Sequence, residues 1–213
     1  MADRRIVVAA DAVAEAGSLL ARSLEAFDRP RLAIPGGSAV RALAKVPTAL
    51  WPRVRLTWVD ERCVDFADSS SNRGEAHRAG LLTSAPVFEL PLYLDQETPE
   101  AACVRVRAGL EAQLQSALDV ALLGMGEDGH VASLFPGRAA EGELVAAVLD
   151  SPKPPPRRIT LTLPMLQTAK SVILLATGEG KRAALQRLLK GEPALPASAL
   201  ESMIIVTDLG GLR

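Results

Sequence analysis

Short apolar runs alternate with longer segments of helical periodicity along most of this chain. Because buried strands are short and apolar, these runs predict strands at residues 5–9, 31–34, 54–59, 119–123, 159–163, 172–176 and 203–207. Helical spacing predicts one helix from an Asp11 N-cap to about Phe27, a second over residues 99–117, and a third from Lys181 to Lys190 that stops at Gly191. Strands that alternate with helices indicate an α/β fold: a mostly parallel sheet with helices on both faces.

Composition places the chain among ordinary globular proteins. It has 213 residues, 48% of them hydrophobic and 23% charged, and we predict a single domain over residues 1–213. The formal net charge is -1, so no overall field favours nucleic acid or an acidic membrane as a partner. An anionic small molecule would have to be held by a few local cations and backbone amides.

Cysteine usage and the N-terminus indicate a cytoplasmic protein. Cys63 and Cys103 lack metal-type spacing and are too few for a disulfide framework. The N-terminus is too short and too soon acidic for a signal peptide, and no apolar run reaches the roughly 18 residues that a membrane span needs.

Polar and glycine-rich segments follow four of the predicted strands directly. They lie at residues 36–38, 60–62, 124–130 and 178–181. In open α/β sheets, ligands bind outside the carboxyl ends of the strands. We therefore expect these four loops to form one site.

His130 is the candidate general base in that site. It is one of two histidines, it stands on a glycine-rich loop, and Asp128 two residues away can orient its ring. The alternative is a structural histidine under a tight turn. A metal site is disfavoured because the only other histidine, His77, lies among polar residues and no second ligand stands three or four residues away.

Glycines and a lysine are the candidates for binding an anion. Gly36, Gly37 and Ser38 follow a strand, where their backbone amides can approach an anion; the alternative is a plain turn with Ser38 as N-cap. Lys181 in the first turn of a helix is unfavourable against the helix dipole unless it meets a phosphate; the alternative is a solvated lysine.

Charged and amide side chains on the loop after residue 59 are further candidates. Arg62 can bind a phosphate or a sugar carboxylate, and Asp60 or Asn72 can bind hydroxyls; a surface ion pair is the alternative. Arg158 precedes the strand at residue 159, where solvated charge is the simpler explanation. The proline-rich run at residues 152–156 reads as a stiff loop leading into that strand.

Residues 124–129, Gly-Met-Gly-Glu-Asp-Gly, match the G-x-G-x-x-G pattern of dinucleotide sites. The context argues against such a site, because Glu127 and Asp128 would place two carboxylates where a pyrophosphate must approach.

Taken together, these motifs resemble the 6-phosphogluconolactonase family, which is related in fold to glucosamine-6-phosphate isomerase/deaminase. The longest match is Leu-Gly-Met-Gly-Glu-Asp-Gly-His-Val-Ala-Ser-Leu-Phe-Pro-Gly at residues 123–137. The Gly-Gly-Ser turn, Asp60-Glu61-Arg62 with Asn72, Arg-Ile-Thr-Leu-Thr-Leu at residues 158–163, and Gly178 with Lys181 accompany it in the same order.

The resemblance implies a three-layer α/β/α, Rossmann-like fold and hydrolysis of 6-phosphogluconolactone in the oxidative pentose phosphate pathway. It implies no metal and no organic cofactor. His130 would activate water with Asp128 beside it. The substrate contacts would come from Gly36, Gly37, Ser38, Asp60, Arg62, Asn72, Gly126, Arg158 and Lys181. Apart from the phosphorylated lactone we expect no nucleic-acid or membrane partner, and a monomer or weak homo-oligomer.

Two other functions stay open. Glucosamine-6-phosphate deaminases carry a pattern that resembles Asp-Gly-His-Ile-Ala-Phe-Asn-Glu-Pro. At residues 128–136 this chain lacks the carboxylate of that pattern that is associated with ring opening. A non-catalytic sugar-phosphate-binding module is the other, although the chain has neither a helix-turn-helix ahead of its first strand nor a basic face.

Overall fold

The computed structural model describes residues 3–138, 140 and 142–212, and within these it has ten strands. They are β1 (Asp3–Val8), β2 (Arg31–Ile34), β3 (Arg55–Trp58), β4 (Asp60–Arg62), β5 (Phe88–Leu90), β6 (Val120–Gly124), β7 (Val145–Val148), β8 (Arg158–Leu161), β9 (Ser171–Leu175) and β10 (Ser202–Thr207). The main sheet has the order β1-β10-β9-β6-β2-β3-β5, and every pairing in it is parallel. The predicted α/β class is confirmed.

The described part of the chain has five α-helices beside this sheet: α1 (Ala12–Glu25), α2 (Asn72–Arg78), α3 (Pro99–Leu114), α4 (Leu163–Gln167) and α5 (Arg182–Leu189). The predicted N-cap of α1 is confirmed, since the Asp11 carboxylate accepts a hydrogen bond from the Ala14 N–H at 2.9 Å. Helix α3 ends before Gln115, whose left-handed backbone closes the last turn.

A second sheet was not predicted. Strands β4, β8 and β7 pair antiparallel, with Asp60 opposite Thr160 and Arg62 opposite Arg158. Val59 joins the two sheets, because its N–H donates to Ile34 of β2 and its carbonyl accepts from Leu161 of β8. The single strand predicted over residues 54–59 is therefore β3. Residues 60–62, which follow it, form β4 in the small sheet.

Three local predictions were wrong. The first is the alternative role of Ser38 as an N-cap: residues Gly37–Lys45 form a 3-10 helix whose N-cap is Gly36 and which has no side-chain cap. The loop predicted after residue 59 contains strand β4 and helix α2. Lys181 ends a 3-10 turn, Glu179–Lys181, and precedes the α-helix instead of lying in its first turn.

The core lies on both sides of the central strands, which are buried along almost their whole length. Among the largest fully buried side chains are Trp51 and Trp58. No helix in residues 3–138, 140 and 142–212 is both long and apolar enough to cross a membrane.

Candidate active site

The four predicted loops follow four strands that are neighbours in the main sheet: β9, β6, β2 and β3. Their carboxyl ends therefore meet at one edge, where a cavity of about 350 Å³ opens. The predicted site residues that line it are Gly36, Gly37, Ser38, Asp60, Arg62, Asn72, Gly126, His130, Arg158 and Lys181.

Asp128 lies behind His130 and holds its ring. The Asp128 Oδ1 atom is 2.6 Å from Nδ1 of His130 and 3.3 Å from the His130 backbone N–H nitrogen. The loop closes on itself through a hydrogen bond from the Gly126 N–H to the His130 carbonyl and one from the Gly129 N–H to the Gly126 carbonyl. Gly129 has a φ of +92°, a conformation that favours glycine and allows this turn.

The protonation state of Asp128 decides which nitrogen of His130 is free. Burial opposes ionisation of Asp128, but hydrogen bonds from His130 and the charges of His130 and Lys153 outweigh it, so the pKa of Asp128 is lowered. An ionised carboxylate can only accept, so Nδ1 carries the hydrogen. Nε2 is then the nitrogen with a lone pair, as a general base requires.

Gly126 and Phe135 fix the position of the imidazole. A Cβ atom on Gly126 would overlap Nδ1 of His130 and lie 2.5 Å from Oδ1 of Asp128, so only glycine leaves room for this pair. The Phe135 ring packs against the imidazole with 4.8 Å between ring centroids. The glycine that matches a dinucleotide pattern in the sequence thus makes room for the histidine ring.

Asp60 and Asn72 form one wall of the cavity and bind each other. The Asn72 side-chain amide donates to the carbonyl of Asp60 at 2.9 Å and to its Oδ1 at 3.2 Å, and Ser133 Oγ donates to Oδ2 of Asp60 at 2.7 Å. The neighbouring Glu61 accepts from the backbone N–H groups of Asn72 and Arg73, which start helix α2. Burial raises the pKa of Glu61 although these backbone hydrogen bonds oppose the rise.

Arg158 is 3% exposed and is held by protein groups. Its Nη2 atom donates to the carbonyls of Lys153 and Pro154, at 3.0 and 3.1 Å, and its Nε donates to Pro155 at 3.0 Å. Its Nη1 lies 3.3 Å from Ser133 Oγ and 3.7 Å from Oδ2 of Asp60. A side chain expected to be solvated therefore fastens the proline-rich loop to the cavity wall.

The glycine turn after β2 meets helix α2. A Cβ on Gly36 would overlap the Asn72 amide, so glycine is required for this close approach. The Gly37 N–H, predicted to bind an anion, donates to Oε2 of Glu75 at 3.1 Å. An incoming anion would therefore compete with the Glu75 carboxylate for this amide.

Cationic side chains face the cavity from three directions. Arg62 comes from β4 and donates Nη1 to the Ser70 carbonyl at 2.7 Å, and Lys181 comes from the turn after β9. Sequence reasoning missed Lys153, which lines the cavity from the proline-rich loop with its Nζ 3.7 Å from Oδ2 of Asp128. Its only signal in the sequence was a lysine between prolines ahead of β8.

In the described part of the chain, no group of three or more His, Cys, Asp or Glu side chains is placed to hold a metal ion. The arrangement is that of a histidine held by a carboxylate at the edge of a cavity with several cations.

Comparison with known proteins shows which family this chain resembles in sequence and in fold. Residues 3–206 match the family described as glucosamine-6-phosphate isomerases/6-phosphogluconolactonase. The chain is 39% identical over 196 residues to a 6-phosphogluconolactonase of Bos taurus, covering 83% of this chain and 76% of that protein. A 6-phosphogluconolactonase structure from Thermotoga maritima superposes with a TM-score of 0.83 at 27% identity, covering 96% of this chain and 99% of that one. A monomeric glucosamine-6-phosphate deaminase superposes with a TM-score of 0.80 at 18% identity, covering 99% of this chain and 100% of that one, so it shares the fold.

Proposed function

The chain belongs to the glucosamine-6-phosphate isomerase/6-phosphogluconolactonase family, and we propose that it hydrolyses 6-phosphoglucono-δ-lactone to 6-phosphogluconate, the lactone-opening step of the oxidative pentose phosphate pathway, with His130 as the base. One observation carries the role of His130: its Nδ1 is bound by Asp128 at 2.6 Å while the ring lines the cavity. The identity to relatives named 6-phosphogluconolactonase supports the choice of reaction within the family.

The first step is attack of water on the lactone carbonyl carbon. Nε2 of His130 takes a proton from the water as the new carbon–oxygen bond forms, and Asp128 stabilises the imidazolium. Because the carbonyl of a lactone is already electrophilic, no serine or cysteine nucleophile is needed. Backbone amides of the glycine-rich loops would stabilise the oxyanion.

The second step is collapse of the tetrahedral intermediate. The bond between the carbonyl carbon and the ring oxygen breaks, and the imidazolium returns its proton to that oxygen. The product is the open-chain acid with its phosphate untouched, and His130 is neutral again. Since the base must be neutral at the start, we expect activity to rise with pH along a limb set by a single histidine.

The charge of the cavity suits a phosphorylated substrate. Of the described residues that line it, four are cationic and two are acidic: Arg62, Lys153, Arg158, Lys181 and Asp60, Glu127. Arg158 already faces the Asp60 carboxylate. We therefore assign two of the other cations, Arg62 and Lys181, to the substrate phosphate or carboxylate. Asn72 and Ser38 would bind substrate hydroxyls.

Deamination of glucosamine 6-phosphate is the second candidate, because a deaminase shares the fold. One contact disfavours it. Phe135 stands where the deaminase pattern has a glutamate, and its ring packs on His130. An apolar ring at this position cannot take part in the proton transfers of sugar-ring opening.

The test is consumption of freshly generated 6-phosphoglucono-δ-lactone, followed by NMR against its spontaneous hydrolysis. We expect the wild type to accelerate hydrolysis and His130→Ala to lose at least about 100-fold of that acceleration. His77→Ala, which removes the other histidine, should retain it. No acceleration by the wild type would refute the lactonase assignment. Deamination of glucosamine 6-phosphate, or binding of 6-phosphogluconate without turnover, would then identify the alternative.

Location and assembly complete the proposal. The two free thiols, Cys63 and Cys103, support a reducing, cytoplasmic location. We propose a monomer or weak homo-oligomer, which sedimentation velocity over a range of concentrations would test.

A further inference from the structure

The proline-rich loop at residues 152–156 does more than connect two strands. The proline-rich loop brings Lys153 close to the glycine-rich loop at residues 124–130, although Lys153 lies 23 positions after His130 in the sequence. The Lys153 Nζ atom lies 3.7 Å from Oδ2 of Asp128, the carboxylate oxygen that His130 does not use. The two oxygens of Asp128 therefore face a cation on one side and the imidazole on the other.

The backbone beneath Lys153 is firmly held. Arg158 binds the carbonyls of residues 153, 154 and 155, and the Lys153 carbonyl also accepts from Ser151 Oγ at 2.9 Å. Prolines before and after Lys153 restrict the backbone further, so little chain entropy is lost when the loop is ordered. The held backbone fixes the point from which the Lys153 side chain, 44% exposed, extends to within 3.7 Å of Asp128.

We propose that Lys153 is a positioning residue for the reaction, which acts on His130 through Asp128 and keeps the imidazole neutral and aligned before catalysis. The proposal rests on the proposed function for its catalytic meaning. A positive charge on the far side of Asp128 weakens the pull of that carboxylate on an imidazolium proton. Contact with Oδ2 also holds the carboxylate so that Oδ1 faces Nδ1.

Other charged groups near His130 act from separate elements. Arg187 of α5 donates to the backbone carbonyl of Asp128 at 3.4 Å, and Arg158 of β8 lies over the Phe135 ring that packs on the imidazole. Glu127, Arg62, Asp60 and Lys181 share the cavity with His130. Among the described lysines and arginines, Lys153 forms the salt bridge to the Asp128 carboxylate, so Lys153 is the residue to substitute.

The experiment is an NMR titration of the histidine rings in the ligand-free protein. With two histidines in the chain, each ring is assignable by single substitution, and His77, which contacts Glu89 at 3.2 Å, serves as an internal reference. In Lys153→Met we expect the midpoint of the His130 titration to rise by about 0.5 pH unit, the size of a partly exposed charge interaction. The His77 midpoint should stay fixed, and Lys153→Arg should restore the wild-type value.

Lys181→Met is the matched control, since it removes a cavity cation that has no salt bridge to Asp128 among the described residues. It should shift the His130 midpoint by less than half as much. In the lactonase assay, the acidic limb of kcat/KM should move upward in Lys153→Met by the same amount as the NMR midpoint.

An unmoved His130 midpoint in Lys153→Met would overturn the proposal whatever happens to the rate. So would a rise in KM alone, which would make Lys153 a substrate-binding cation, and so would an equal shift in Lys181→Met. If Lys153→Met folds poorly, the His130 midpoint can be measured in Lys153→Gln, which also removes the charge. Because the titration needs no substrate, its failure is distinguishable from absence of lactonase activity, which the wild-type assay reports.

Discussion

Gly126 and His130 share a space in which a single added carbon does not fit. A Cβ atom on Gly126 would overlap Nδ1 and Cε1 of the imidazole, and it would also press on the Asp128 carboxylate. The hydrogen bond from the Gly126 N–H to the His130 carbonyl holds the two residues at this separation. Glycine at this position is therefore part of what holds the His130 ring in place.

Gly126→Ala should lose at least about 100-fold in kcat/KM for lactone hydrolysis, because a base displaced by about 1 Å no longer reaches its water. The fold should survive, since the change is confined to one loop at the cavity. The measurement is the NMR lactone assay together with thermal unfolding. Gly210→Ala is the control, because a Cβ there meets nothing within 4 Å. Wild-type activity in Gly126→Ala would show that the ring does not need its observed position.

Asp128→Asn tests the role of the carboxylate while keeping its shape. The amide nitrogen can donate to Nδ1 of His130, which would move the ring hydrogen to Nε2 and remove the lone pair that accepts the proton from water. We expect kcat to fall by about 100-fold or more, with KM changing little. Ring ¹⁵N chemical shifts should report the altered tautomer. Activity within threefold of wild type would mean that Asp128 serves only the turn.

The sequence revealed six of the seven strands of the main sheet, because they form apolar runs and the central ones are buried along almost their whole length; the three-residue edge strand β5 was missed. It also revealed His130 with Asp128, since two residues joined by one glycine can bind each other without help from distant parts of the chain. The four loops could be grouped because parallel strands end at the same edge of the sheet.

In the small antiparallel sheet, β8 had been predicted as a strand at residues 159–163, whereas β4 was missed for the opposite reason. Strand β4 consists of Asp60, Glu61 and Arg62, which carry no apolar signal, and the first two are buried by hydrogen bonds to groups far along the chain. The sequence also did not predict that Lys153 and Glu75 contact residues of the site. Their contacts, with Asp128 and with the Gly37 N–H, form only when separate segments pack together.

Arg158 offers a test of a structural role against substrate binding. Arg158→Met removes the cation that faces the buried Asp60 and frees the carbonyls of residues 153–155. We expect the free energy of unfolding to fall by about 3–5 kcal/mol, because a buried carboxylate loses its partner. Urea unfolding measures the change. Arg157→Met, at the exposed neighbouring position, should change it by less than about 0.5 kcal/mol.

Adding Asp60→Asn to Arg158→Met should restore part of the lost stability, since the unpaired charge is then gone. A double variant whose loss equals the sum of the two single losses would show that the two side chains do not interact energetically. A normal stability with a raised KM in Arg158→Met would instead assign Arg158 to substrate binding.

Asp119 lies just before β6, and its contacts allow us to predict how the free energy of unfolding depends on pH. Its carboxylate accepts from Nε and Nη2 of Arg31, both at 2.8 Å, and lies 3.0 Å from Nζ of Lys170. Burial opposes ionisation of Asp119, but the hydrogen bonds from Arg31 and Lys170 outweigh it and lower the pKa to about 2. The unfolded chain has an ordinary aspartate, with a pKa of about 3.9.

Between these two values the unfolded state binds a proton that the folded state does not, so stability rises with pH across that window. The ionised Asp119 thus contributes about 2 kcal/mol that is fully present above about pH 5 and is lost as pH falls through 4 toward 2. Urea unfolding of the wild type and Asp119→Asn at pH 2.5, 4 and 6 measures it. The difference between the two proteins should be smallest at pH 2.5 and largest at pH 6, whereas Asp28→Asn, at an exposed position, should differ from the wild type by little at any pH. A difference that does not change with pH would mean that the contacts of Asp119 stabilise the fold through shape and not through charge.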